Sequence, residues 1–235
     1  DFQDLESDSD YYMAVSHLVN FPGQVANEAL LNFLGRVSTE SAVLLAQRKA
    51  VEVLARLGVT QAQAKIASFL DSSDIYLVEN SAWALAQLGC QDQSVHQRLI
   101  RLLHDSTQNQ RVLIQSLSKL SVFAALSTIT PLMDHEKSSV RGAAIAATIH
   151  LSGDRTRLAD LADHLYVANQ MDRQSAVQDV IDAGGIELMS SLLQAPISPA
   201  FRMRAVRALV DRSSGEQLKR NALSAVDQVL RDDPR

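Results

Sequence analysis

The chain has 235 residues, of which 46% are apolar, with 9 glycines, 5 prolines and one cysteine, Cys90. That apolar share supplies a core and argues against disorder. The scarcity of glycine and proline argues against a turn-rich β fold, and a lone cysteine excludes a disulfide framework or a cysteine-based metal site within one chain. The net charge of −5 resides in the first ten residues, DFQDLESDSD, so the rest of the chain is neutral.

Residues 1–7 read as a solvated acidic tail, and 1–235 as a single repeat domain, since no linker is visible. The first repeat is SDSDYYMAVSHLVNFPG followed by QVANEALLNFLGRVS, with Asp8, Ser9 or Asp10 as N-cap and Pro22-Gly23 closing the first helix. STESAVLLAQRKAVEVLARLG and VTQAQAKIASFLDSS form the second pair. DIYLVENSAWALAQLG and CQDQSVHQRLIRLLHDST form the third. QNQRVLIQSLSKLSVF and AALSTITPLMDHEK form the fourth, where Pro131 either kinks the second helix or sits in its first turn. SSVRGAAIAATIHLSG and DRTRLADLADHLYVA form the fifth, NQMDRQSAVQDVIDAGG and IELMSSLLQAPIS the sixth. The last is SPAFRMRAVRALVDRSSG with EQLKRNALSAVDQVLRDDPR.

Two rulers run through these pairs. A small residue ends the first helix at Gly58, Gly89, Ser121, Gly153, Gly184 and Gly215, in steps of 31, 32, 32, 31 and 31. A polar position recurs at Arg48, Glu79, Arg111, Arg141, Arg173 and Arg204, in steps of 31, 32, 30, 32 and 31. A fixed period of this size belongs to a solenoid. Apolar residues at i, i+4 and i+7, as in Val78, Ala82 and Leu85, make the units helical. The period and the pattern VRGAAIAATIHLSGD fit the HEAT class. The expected fold is all-α, a HEAT-like α-solenoid of about seven bihelical repeats in a crescent-shaped superhelix, with first and second helices in opposite layers and the arginines in a line.

Chemistry is sparse. There is no phosphate loop, no nucleophile elbow and no histidine pair at metal-ligand spacing. Cys90 and His96 have neither the spacing nor a third orienting group for a nucleophilic pair. No basic stripe with interleaved aromatics points to nucleic acid, no apolar run reaches the ~18 residues of a membrane span, and no signal peptide is read at the start. The recurrent arginines have two readings: they join neighbouring repeats, or they line a groove and grip carboxylates. One stretch departs from a plain repeat. At ~100° per residue, Tyr76, Glu79, Asn80, Trp83 and Gln87 fall opposite the Val78–Ala82–Leu85 core stripe. This face either packs on an adjacent repeat or forms a platform for a flat conjugated ligand with a polar edge.

YLVENSAWAL, RKAVEVLARLG, VRGAAIAATIHLSG, NQMDRQSAVQDVIDAG and SPAFRMRAVRAL together resemble the E/F-type phycobilin lyases, HEAT-like proteins of cyanobacteria and red algal plastids, and within them the Y- or E-type branch. The resemblance covers residues 8–212. Members attach linear tetrapyrroles to cysteines of phycobiliproteins. Some also isomerise the bilin, some work only with a second HEAT-repeat subunit, and some act as chaperones or in bilin removal. The resemblance thus implies a bilin lyase or lyase subunit with a phycobilin as substrate rather than as a permanent cofactor. Its expected partners are a phycobiliprotein subunit and a second HEAT-repeat subunit, and its expected location is the cyanobacterial cytosol or plastid stroma. The alternative is a non-catalytic HEAT-repeat chaperone for phycobiliprotein maturation. The expected bilin-binding residues are Tyr76 and Trp83 for the rings, Glu79 and Asn80 for the polar edge, and Arg48, Arg111, Arg141 and Arg173 for the propionates. No catalytic acid or base is singled out.

Overall fold

Five beats of the small-residue ruler are helix ends of one kind. The computed structural model describes residues 8–167 and 169–212, together with 215, 220, 223, 224, 226, 227 and 231. In it, Gly58, Gly89, Ser121, Gly153 and Gly184 take φ of 70, 64, 54, 77 and 59°. This left-handed conformation stops a helix and turns its last carbonyls inward. At Gly58, the Gly58 N–H donates to the Ala55 carbonyl (3.1 Å) and the Val59 N–H to the Leu54 carbonyl (3.0 Å). Both acceptors are groups that an ended helix leaves over. The same two bonds close the helices at Gly89, Ser121 and Gly184. The residue after the cap is buried in all four of these repeats: Val59, Cys90, Val122 and Gly185. Cys90 therefore holds an apolar packing position under a cap.

Every regular element among the described residues is helical. Seven helices open the repeats: α1 (Asp8–His17), α3 (Ser41–Arg56), α5 (Ile75–Gln87), α7 (Gln110–Lys119), α9 (Ser138–Ser152), α11 (Gln170–Asp182) and α13 (Pro199–Arg212). Six more follow them: α2 (Gln24–Leu34), α4 (Gln63–Ser68), α6 (Gln93–Leu102), α8 (Leu126–Ile129), α10 (Asp160–His164) and α12 (Met189–Gln194). The expected acidic tail, residues 1–7, lies outside the described residues, as does most of the second helix expected after Gly215.

The chain divides into two compact units, 1–122 and 123–235, with the boundary inside the fourth repeat. In the first unit α1, α3, α5 and α7 pack side by side in chain order, and α2, α4 and α6 each lie on the opening helix of the next repeat. In the second, α9, α11 and α13 form the same kind of row, with α8, α10 and α12 against α9, α11 and α13. The reason is the stripe read from sequence: Val78, Ala82 and Leu85 are all but fully buried, as are Ala176, Val177, Val180 and Ile181. Each large aliphatic side chain so buried contributes about 1.5–3 kcal/mol. α9 is enclosed more completely, because Gly142, Ala143, Ala144, Ala146 and Ala147 give its neighbours room to approach.

The second helices differ from the unbroken elements expected. α4 is flanked by 3-10 turns at Thr60–Ala62 and Phe69–Asp71. α8 passes into a 3-10 turn at Thr130–Asp134. Pro131 stands there without an N–H to continue the α ladder. Among the described residues no helix is long and apolar enough to cross a membrane.

Candidate functional site

α5 begins where a carboxylate can cap it. Asp74 Oδ1 accepts from the backbone N–H of Tyr76 (3.0 Å) and Leu77 (3.3 Å), two donors that the first turn leaves unpaired. Its other oxygen accepts from Arg48 of α3, with Nε at 2.9 Å and Nη2 at 2.7 Å. The Arg48 guanidinium in turn lies 4.8 Å from the centroid of the Tyr76 ring, a cation–π distance. One carboxylate therefore starts α5, ties it to α3 and holds a guanidinium on one face of Tyr76. The Asp74 side chain is 9% exposed, so solvent screens this pair less than an open surface pair.

From Tyr76 a strip runs along α5. Tyr76 and Gln87 are exposed, while Glu79, Asn80 and Trp83 are half-buried. The two edges of the strip are taken by neighbouring helices. On one side Asn80 Nδ2 donates to the Arg48 carbonyl of α3 (3.3 Å). On the other, Lys119 Nζ at the end of α7 donates to Gln87 Oε1. The centre is different. Among the described residues none hydrogen-bonds the Glu79 carboxylate or the Trp83 indole N–H. A half-buried ring with an unused donor thus lies one turn from an unused acceptor, beside a tyrosine already stacked on its Arg48 side. Such a strip can hold a flat conjugated molecule that carries N–H donors. It offers no nucleophile.

The sequence therefore brings Tyr76, Glu79, Asn80, Trp83 and Arg48 together, and its reading of this face as a contact with adjacent repeats holds for part of it. Asn80 and Gln87 bond the adjacent repeats, whereas Glu79 and Trp83 remain open. Arg111 lies half-buried in the first turn of α7, one repeat step beyond Glu79. Arg141 and Arg173 belong to the second unit. Arg141 Nη1 donates to the carbonyls of His135 (2.7 Å) and Glu136 (3.4 Å), and its Nε to His164 Nε2 (3.2 Å). Arg173 Nη1 donates to the Val167 carbonyl (2.8 Å). Each thus reaches back six residues to the loop before its own helix. Cys90 and His96 do meet, but through the Cys90 carbonyl and His96 Nε2 (2.8 Å), with the thiol buried. Among the described residues no group of three His, Cys, Asp or Glu could hold a metal ion.

Two contributors escaped the sequence reading, Asp74 and Lys119. Both left a signal. Asp74 stands directly before the first apolar residue of α5, a capping position. Lys119 lies 32 residues after Gln87, and Asn80 lies 32 after Arg48. One repeat step therefore names the lateral neighbour.

No family model matches the chain. It is 39% identical over 226 residues to the bilin biosynthesis protein CpeY of Synechococcus sp. (strain WH8020), covering 96% of this chain and 54% of that protein. It is 32% identical over 223 residues to the uncharacterized phycocyanin operon protein Y of Pseudanabaena tenuis (strain PCC 7409), covering 95% and 52% respectively. The phycocyanobilin lyase subunit alpha of Picosynechococcus sp. (strain ATCC 27264 / PCC 7002 / PR-6) is 26% identical over 182 residues, covering 70% and 66%. The chain spans about half the length of the first two relatives. Among solved structures, the CpcE–CpcF complex of phycocyanin lyase from Nostoc sp. PCC7120 superposes with a TM-score of 0.84 at 22% identity, over 97% of this chain and 91% of the matched one. At that identity the likeness speaks for the fold alone.

Proposed function

We propose that this chain, which belongs to the E/F-type phycobilin lyase family, binds a linear tetrapyrrole on the α5 strip and promotes its thioether attachment to a cysteine of a phycobiliprotein. The observation that carries this reading is the open centre of the strip: Trp83 for the conjugated rings and the Glu79 carboxylate for pyrrole N–H groups. In the attachment step the acceptor's S–H adds across an exocyclic C=C of the bilin. A C–S bond forms on one carbon and the proton goes to the conjugated system, with no net oxidation. The nucleophile is the acceptor's thiol, since Cys90 is buried. The contribution of this chain is to hold and orient the bilin, which lowers the entropic part of the barrier. The relative named as a lyase subunit, and the solved complex of two chains, support a second HEAT-repeat subunit as partner. The cytosol or plastid stroma, where phycobiliproteins mature, is the matching location.

The test is a titration with a phycobilin followed by its visible spectrum, then addition of an acceptor phycobiliprotein with and without a second lyase subunit. The expected result is a shifted spectrum and a covalent, zinc-fluorescent acceptor. Trp83→Ala is expected to weaken bilin binding ten- to a hundredfold, the scale of losing a large aromatic contact. Unchanged affinity in a folded Trp83→Ala variant overturns the platform, and acceptor labelling at the spontaneous rate under all conditions overturns the lyase. The latter outcome with a stable acceptor complex on size exclusion favours the chaperone reading. That reading draws support from the strip's lack of a nucleophile and of an acid–base pair.

A further inference from the structure

The expected grip on bilin carboxylates was assigned to arginines, and Arg48 lies on the strip. Its guanidinium is already committed to Asp74 through two nitrogens and to the Tyr76 ring. Two other basic residues of α3 share a single carboxylate, that of Glu52. Lys49 pairs with Glu52 at 2.9 Å and Arg56 with Glu52 at 2.7 Å. Lys119 is different. It is exposed, and its ammonium bonds a neutral amide oxygen, that of Gln87. An amide leaves the positive charge uncompensated, and an ammonium has three donors, so a carboxylate can join without displacing Gln87.

The position of this charge is set by α5. Gln87 lies one helical turn beyond Trp83, and Glu79 one turn before Trp83. At 1.5 Å per residue Glu79 and Gln87 are about 12 Å apart along the axis. The strip is therefore polarised, with an anionic acceptor at one end, an aromatic ring in the middle and a cation at the other end. A ligand that matches it has N–H donors on one edge, a conjugated plane, and a carboxylate on a flexible arm.

Resting on the reading of the strip as a tetrapyrrole site, we propose that Lys119 anchors a propionate of the bound bilin and so fixes the direction in which the bilin lies along α5. The carboxylate bonds the ammonium beside Gln87, the rings cover Trp83, and the pyrrole N–H groups face Glu79. The exposed Lys119 ion pair is then sensitive to salt.

The experiment compares phycocyanobilin with its dimethyl ester, which keeps the conjugated plane and removes both carboxylate charges. Wild type is expected to bind the free acid about tenfold tighter than the ester, the scale of one charge-assisted hydrogen bond. Lys119→Met is expected to abolish that preference while leaving ester affinity unchanged, and Lys119→Arg to retain it. Raising the salt concentration is expected to shrink the preference in wild type and not in Lys119→Met. An undiminished acid-to-ester ratio in Lys119→Met, in a chain where Trp83→Ala weakens both ligands, overturns the anchor and leaves the platform standing. Failure of Trp83→Ala to affect either ligand overturns the platform itself.

Discussion

Gly142 has no side chain because the space is taken. A Cβ placed there would meet Asp179 Oδ2 of α11 at 2.4 Å and His164 Nδ1 of α10 at 3.1 Å. Asp179 is 1% exposed and cannot swing into solvent without opening the α9–α11 contact. Gly142→Ala is therefore expected to destabilise the protein by about 1–3 kcal/mol, as overpacking of a tight core does, measurable as a lower urea midpoint. A smaller change would mean that the Asp179 carboxylate has room to move. His164 beside it accepts from Arg141 Nε, which places the proton of its neutral ring on the buried Nδ1. Burial first, and then the Arg141 charge, hold the imidazole below its usual 6.5, against the opposing pull of Asp160 and Asp163. Because the folded pKa is depressed, the unfolded chain takes up the proton first. This contribution to stability is complete above pH 6.5 and is lost as the pH falls below it. The melting temperature is expected to drop between pH 7 and 5.5, with at most about 1.4 kcal/mol per pH unit from this one group, and the drop should be smaller in His164→Gln. An identical pH profile in both proteins would contradict the assignment. None of this was legible in sequence, where His164 is one of six histidines without a motif.

At the scale of the element, the first helices and the second helices had unequal legibility. Three of the first helices carry local signals at both ends. Asp74, Asn109 and Asn169 cap α5, α7 and α11 with their own side chains, and the small-residue ruler marks the far ends. Ser121 is the exception within that ruler, since it holds φ of 54° with a Cβ present. Ser121→Gly relieves the strain but adds freedom to the unfolded chain. The expected net gain is up to about 1 kcal/mol, read as a higher denaturant midpoint. A loss of stability would show that the serine side chain contributes more than its backbone costs. The second helices lack such caps at α4, α8, α10 and α12. Their short apolar runs satisfy α and 3-10 turns alike, so the periodicity overstated their length.

Over the whole chain, the 31-residue period by itself determined the architecture: about seven opening helices, all-α, with the core stripe of α5 read from its spacing. That much is local chemistry. Caps and the 3.6-residue period act within a few residues, and repetition carries them along the chain. The period also fixed which positions become lateral neighbours, as the Asn80–Arg48 and Lys119–Gln87 bonds show. It did not reveal how the partners would share themselves out. That Arg48 is consumed by Asp74 while Lys119 keeps its charge, and that Glu79 and Trp83 stay open between them, depends on side chains 26 to 32 residues apart settling into one packed layer. Only the tertiary structure decides that competition. Each cation takes the acceptor within reach of its own rotamers, and distance in space, unlike spacing in sequence, is set by every helix in the layer at once.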